Sequence, residues 1–143
     1  LSGQIELRGF MGICLDSTVI IDFLNGRKEA VEVINKYKEK DSFFTTEINV
    51  FEVLLGVYLK KVIDETELTK SKDFFNTLDI LPFDNWRGEE ASVIHSSLSK
   101  SAKIIEQADI FISAIMKRNG FSRIISRNKE HFSRIEGIEV IGY

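Results

Sequence analysis

The chain has one cysteine, one proline and two histidines among its 143 residues, and each shortage removes a class of protein. A lone thiol, Cys14, rules out an internal disulfide and any cysteine-rich zinc cluster. It stands in an apolar run, where a small buried side chain is the ordinary use of cysteine. His95 and His131 are too far apart for the i, i+4 pairing of a zinc helix, and His95 reads as a surface or half-buried structural residue. No stretch stays apolar over the length that crosses a bilayer, and no secretory signal pattern opens the chain. These absences point to an intracellular, cytoplasmic protein with no membrane partner. Motif-bearing glycines are missing as well. There is no Walker-type loop, no G-x-G-x-x-G after the first strand and no G-x-S-x-G elbow.

What is present suits one domain: 43% hydrophobic and 29% charged residues, with no repeat, linker or low-complexity tract. Residues 1–11, LSGQIELRGFM, lack a pattern and read as an N-terminal extension or leader; residues 12–143 read as a single domain. Short apolar runs predict strands at Ile13–Leu15, Ser42–Thr45, Asp79–Pro82, Arg123–Ile125 and Ile138–Ile141. Between them the spacing predicts helices over Glu29–Tyr37, Asn49–Leu59, Glu65–Leu78, Glu89–Leu98 and Asp109–Asn119, the last closed by Gly120. The segment Asn49–Leu59 is so apolar that a largely buried helix is expected. Strands alternating with helices predict a three-layer α/β/α sandwich around a mostly parallel sheet of about five strands. Sites in such sheets gather outside the carboxyl ends of the strands.

The net charge of −3 argues against a generic nucleic-acid coat, since phosphate binding is driven by basic side chains. It leaves room for an enzyme that holds a metal with carboxylates. Three acids stand in apolar surroundings: Asp16 at the end of the first strand, Glu52 within NVFEVLLG and Asp109 at the head of ADIFISAIM. A charge among hydrophobic neighbours costs several kcal/mol unless paired or coordinated, on the order of magnitude of a buried ion. Sharing a hard cation would offset that cost. Each acid also has an ordinary explanation: Asp109 as an N-cap, Glu52 on an exposed stripe or paired with a lysine, Asp16 as the cap of a helix near Val19. A basic segment, with Lys117, Arg118, Arg123, Arg127, Lys129 and Arg134 against Glu130, could meet phosphates or form a solvated face.

Taken in order, LDSTVIIDFL, TEINVFEVLLG, QADIFISAIMKRNGF and IISRNKEHFSRIEGIEVI resemble the PIN-domain ribonuclease family, and within it the VapC-type toxins of prokaryotic toxin–antitoxin pairs. The resemblance runs from Gly12 to Tyr143. It implies Mg²⁺- or Mn²⁺-dependent cleavage of RNA, a VapB-like antitoxin partner and a homodimer. It implies metal ligation by Asp16, Glu52 and Asp109, support from Thr18 and a structural role for Asp22; Glu106 beside them reads as solvated. The fourth motif departs. Asn128 stands where the family often has an acid, and His131 where an aspartate often precedes phenylalanine. An amide can orient water or metal at the edge but brings no charge, so one tightly bound ion is expected. Glu130 could replace the acid only if its loop turned inward. The rival expectation is a PIN fold with weak catalysis that acts as an RNA- or protein-binding module. A phosphatase or phospho-acceptor domain ranks last, because Thr18 occupies the second position of D-x-D.

Overall fold

The computed structural model describes residues 12–101, 103 and 105–143; the expected extension at residues 1–11 lies outside them. Five strands alternate with helices: β1 (Gly12–Leu15), α1 (Ser17–Leu24), α2 (Lys28–Tyr37), β2 (Ser42–Thr46), α3 (Glu47–Tyr58), α4 (Glu65–Phe75) and β3 (Asp79–Leu81). Then follow α5 (Arg87–Lys100), α6 (Gln107–Arg118), β4 (Arg123–Ile125), α7 (Lys129–Ser133) and β5 (Glu139–Ile141). The strand order is β3-β2-β1-β4-β5 and every pairing is parallel. The predicted strands therefore appear within a residue of their expected bounds.

Alternation along the strands divides the core. Ile13, Leu15 and Ile125 face a layer with Val19, Ile20, Val33, Val53 and Phe75. Cys14, Phe44 and Ile124 face the opposite layer, with Ile94, Leu98, Ile112, Ile115 and Phe132. A sheet covered on both faces needs near-continuous apolar strands, which is the pattern of these short runs. The chain moves to one side of β1 for β2 and β3, then crosses to the other for β4 and β5. The reversal leaves a crevice outside the carboxyl ends of β1 and β4, where such folds bind ligands.

Helix α3 corrects one expectation. Val53 and Val57 are buried, but Phe51 is 62% exposed and Leu59 73%, with Leu55 and Tyr58 also on the surface. The helix packs its inner stripe on the sheet, and no described element covers its outer one. An apolar run cannot distinguish burial on all sides from burial on one side plus a sticky face. Among the aromatics, Phe75 is core and Phe74 packs against Phe23 at 5.4 Å between ring centroids. Trp86 is exposed and takes a left-handed backbone, φ 67°.

Candidate active site

The backbone sets Asp16 first. Its amide donates to the Ile125 carbonyl at 3.1 Å, extending the β1–β4 ladder by one residue, and the Ser126 amide donates to Ile141 at 3.1 Å. Both residues are thereby pinned at the carboxyl edge of the sheet. Asp16 precedes α1 in the N-cap position but its side chain caps nothing. Instead its Oδ2 accepts from Ser126 Oγ at 2.6 Å and Thr18 Oγ1 at 3.1 Å, while its Oδ1 accepts from Asn49 Nδ2 at 3.1 Å.

Asn49 is delivered by a capping box. Thr46, the last residue of β2, caps α3 by accepting from the Asn49 amide, and its own N–H and hydroxyl donate to Asn49 Oδ1. That fixes the amide orientation, so Nδ2 has only Asp16 and Ser17 Oγ, at 3.0 Å, to serve. Ser17 Oγ in turn donates a hydrogen bond to Glu52 Oε1 at 2.6 Å. Glu52 thus pairs with no lysine; it lies one turn beyond Asn49 on α3 and turns toward Asp16.

Asp109 sits in the first turn of α6 behind the N-cap Glu106, so it is not the cap itself. It is 3% exposed, and its Oδ2 lies 3.0 Å from His131 Nδ1. Burial pushes its carboxyl up to about 6, against a smaller opposing effect of His131 and with added repulsion from Asp16 and Glu106. Glu52 is also raised, by burial first and then by Asp16, Asp109 and Glu106, although the Ser17 bond lowers it. Burial raises Asp16 more than its donors lower it. The acids therefore feel one another, and among the described residues the one basic side chain against them is His131, at Asp109.

That donor set, oxygen ligands in excess negative charge, fits a hard divalent cation in kind. Glu52 Oε2 and Asp109 Oδ1 accept no hydrogen bond among the described residues. The side chains do not form a closed cage, since among the described residues no three acidic, imidazole or thiol groups converge on one point.

The segment after β4 departs from expectation in detail. Asn128 is half-buried and its backbone N–H donates to Ser126 Oγ at 2.9 Å; its amide caps nothing. Glu130 points away and pairs with Arg134 at 2.9 Å, so it does not replace the missing acid. Arg127 donates its backbone N–H to Thr18 Oγ1 at 3.0 Å and its guanidinium to Asp22 at 2.9 Å. Arg123 is corrected outright: it opens β4 and pairs with Asp41 before β2. Parallel strands put that pair on the amino edge, about 10 Å from the site at roughly 3.3 Å per residue. Asp22, expected to be structural, is indeed bound up with Arg27, Arg127 and Tyr143. Sequence reasoning missed Ser17, Asn49, Ser126 and the contact of His131 with Asp109. Only the capping signal T-x-x-N could have pointed to one of them, Asn49.

Comparison with known proteins decides the family. The PIN domain family model matches residues 13–138. The chain belongs to the PIN-domain family. Ribonuclease VapC2 of Haemophilus influenzae is 25% identical over 122 residues, covering 85% of this chain and 89% of that protein. The structure of VapBC2 from Rickettsia felis, bound to a promoter DNA fragment, superposes with a TM-score of 0.80 at 18% identity, covering 93% of this chain and 99% of that one. DNA-bound VapBC from Salmonella typhimurium gives 0.78 at 20% identity, covering 92% and 98%. Both share the fold of this PIN domain, whose described helices include none long and apolar enough to cross a membrane.

Proposed function

We propose that this PIN domain, residues 12–143, is a metal-dependent endoribonuclease, the toxin of a toxin–antitoxin pair acting in the cytoplasm. The observation that carries the reading is the set of three buried or half-buried acids at the switch point of a PIN fold, with no lysine or arginine paired to them among the described residues and only His131 against Asp109. Asp16, Glu52 and Asp109 would hold Mg²⁺ or Mn²⁺, which when bound acidifies a water and offsets charge developing on the scissile phosphate.

The chain's own contribution is orientation. Ser126, Thr18 and Asn49 hold the Asp16 carboxylate and Ser17 holds Glu52, which restrains both side chains before any ion binds. Asn128 lends an amide at the rim. The exposed Lys129 lies on the same edge and supplies positive charge for flanking phosphates, a sequence-tolerant and salt-sensitive role, while the guanidinium of Arg127 is committed to Asp22.

A VapB-like antitoxin partner is supported by the VapBC neighbours; for it, and for the homodimer that the sequence resemblance implies, the exposed apolar face of α3 with Val62 and Ile63 beyond it offers a surface. The test is cleavage of a panel of single-stranded and looped RNAs with Mg²⁺ or Mn²⁺. Wild type should cut and Asp16→Asn should not; equal cleavage by both would end the assignment. The absence of an acid at Asn128 favours a second reading, a binding module with little catalysis. Calorimetry separates the two, since no Mn²⁺ binding at millimolar metal supports the module.

A further inference from the structure

The segment that lacks the family's acid also reaches the acid site and its surroundings at several points. Within six residues, Ser126 Oγ donates to Asp16, the Arg127 amide to Thr18 and the Arg127 guanidinium to Asp22; His131 Nδ1 meets Asp109. The first contacts are set by the end of β4. The last is set by α7, a single short helix anchored by Phe132, which is fully buried in the α5–α6 layer. Phe132 thereby sets where the backbone of His131 stands; the imidazole is held by its contact with Asp109, and a third of it reaches solvent.

We infer that His131 is a positioning residue: its Nδ1–H donates to Asp109 Oδ2, fixes the carboxylate rotamer and leaves Oδ1 as the ligand atom for the divalent cation. The inference rests on the metal site proposed above. An ionised carboxylate only accepts, so with Asp109 ionised the proton of this contact sits on His131 Nδ1. The arrangement is a hydrogen-bonded partner behind a metal ligand, which restrains the ligand without itself ligating. It also gives this corner a use for histidine where family members often carry an acid: orientation in place of charge.

Mn²⁺ binding to the metal-free protein, followed by electron paramagnetic resonance, tests this without any activity readout. His131→Ala should weaken Mn²⁺ about tenfold or more, the usual effect of removing such a partner. His131→Asn places an amide N–H near the Nδ1 position and should recover affinity to within about threefold. His131→Gln carries its N–H one atom farther out, near Nε2, and should stay weak. In an Asp109→Asn background, His131→Ala should have no further effect. Nitrogen chemical shifts of the neutral ring should show the Nδ1–H tautomer in wild type. If wild type binds Mn²⁺ and His131→Ala binds it equally well, this inference falls and the metal site stands. Equal loss in the Asn and Gln variants would also overturn it, pointing to ligation through the ring. Failure of wild type to bind millimolar Mn²⁺ overturns both readings.

Discussion

Asp16 and Asp22 are buried aspartates six residues apart, 2% and 3% exposed, and their surroundings could hardly differ more. Asp22 lies against two guanidinium groups, Arg127 Nε at 2.9 Å and Arg27 Nε at 3.4 Å, and accepts from the Tyr143 hydroxyl at 2.7 Å. That hydroxyl is held above its ordinary range, by burial first and by the carboxylate it serves. Asp16 meets only neutral donors, with Glu52 and Asp109 as its charged neighbours. One carboxylate is a finished ion pair with Arg27 and Arg127, and a hydrogen bond from Tyr143 ties it to the segment after β5. The other is dipole-solvated but unneutralised. Burial alone therefore does not single out a candidate site acid; burial without a counter-charge does.

Substituting the pair separately gives the largest expected contrast. Asp16→Asn should lower RNA cleavage by about a hundredfold or more, as expected when a group acting directly on transition-state charge is lost. Asp22→Asn should leave cleavage within about tenfold at temperatures where the protein is folded. Its cost should fall on stability instead, about 1–2 kcal/mol by denaturant titration, because both arginines are partly exposed and recover some hydration. Comparable cleavage loss in both variants would erase the distinction between the two carboxylates.

The next effect is metal-induced stabilisation. Mn²⁺ at a hundred times its dissociation constant should stabilise wild type by about 2.7 kcal/mol. At roughly 3 °C per kcal/mol for a chain of this size, that is a rise in Tm of about 8 °C. Asp22→Asn should keep the rise and Asp109→Asn should lose most of it. An undiminished rise in Asp109→Asn would remove that residue from the metal site.

The acids and the sheet were legible in the sequence because both break a local rule. Asp16, Glu52 and Asp109 are charges in apolar runs, and the strands are apolar runs too short for helices. The supporting residues were not legible, since a serine, an asparagine or a histidine in a polar segment contradicts nothing. Ser126 and His131 acquire meaning only when β4 and α7 carry them to acids far away in sequence. Arg123 misled for a related reason: it is close to Arg127 in sequence, but a parallel strand separates its two ends across the whole sheet. The outer face of α3 was hidden because hydrophobicity reports what avoids water and not what will cover it.

The smallest expected effect is a pH slope, and it probes the unneutralised side of the comparison directly. Asp109 is raised from an ordinary 3.8 to about 6, with burial the chief cause. A raised carboxyl means that the folded protein binds this proton more tightly than the unfolded chain does. The resulting stabilisation is complete below 3.8 and is lost as pH rises through about 6. Metal-free wild type should therefore gain Tm relative to Asp109→Asn as pH falls from about 7.5 to 5, because the variant has no proton to take up. Measuring the difference between the two proteins cancels the carboxylates remote from Asp109, which titrate alike in both. A difference that stays flat across that window would mean that Asp109 is not strained by its surroundings. With Mn²⁺ present the trend should reverse. Protons and cation then compete for the same oxygens, and the metal-induced rise should fade as pH drops below about 6.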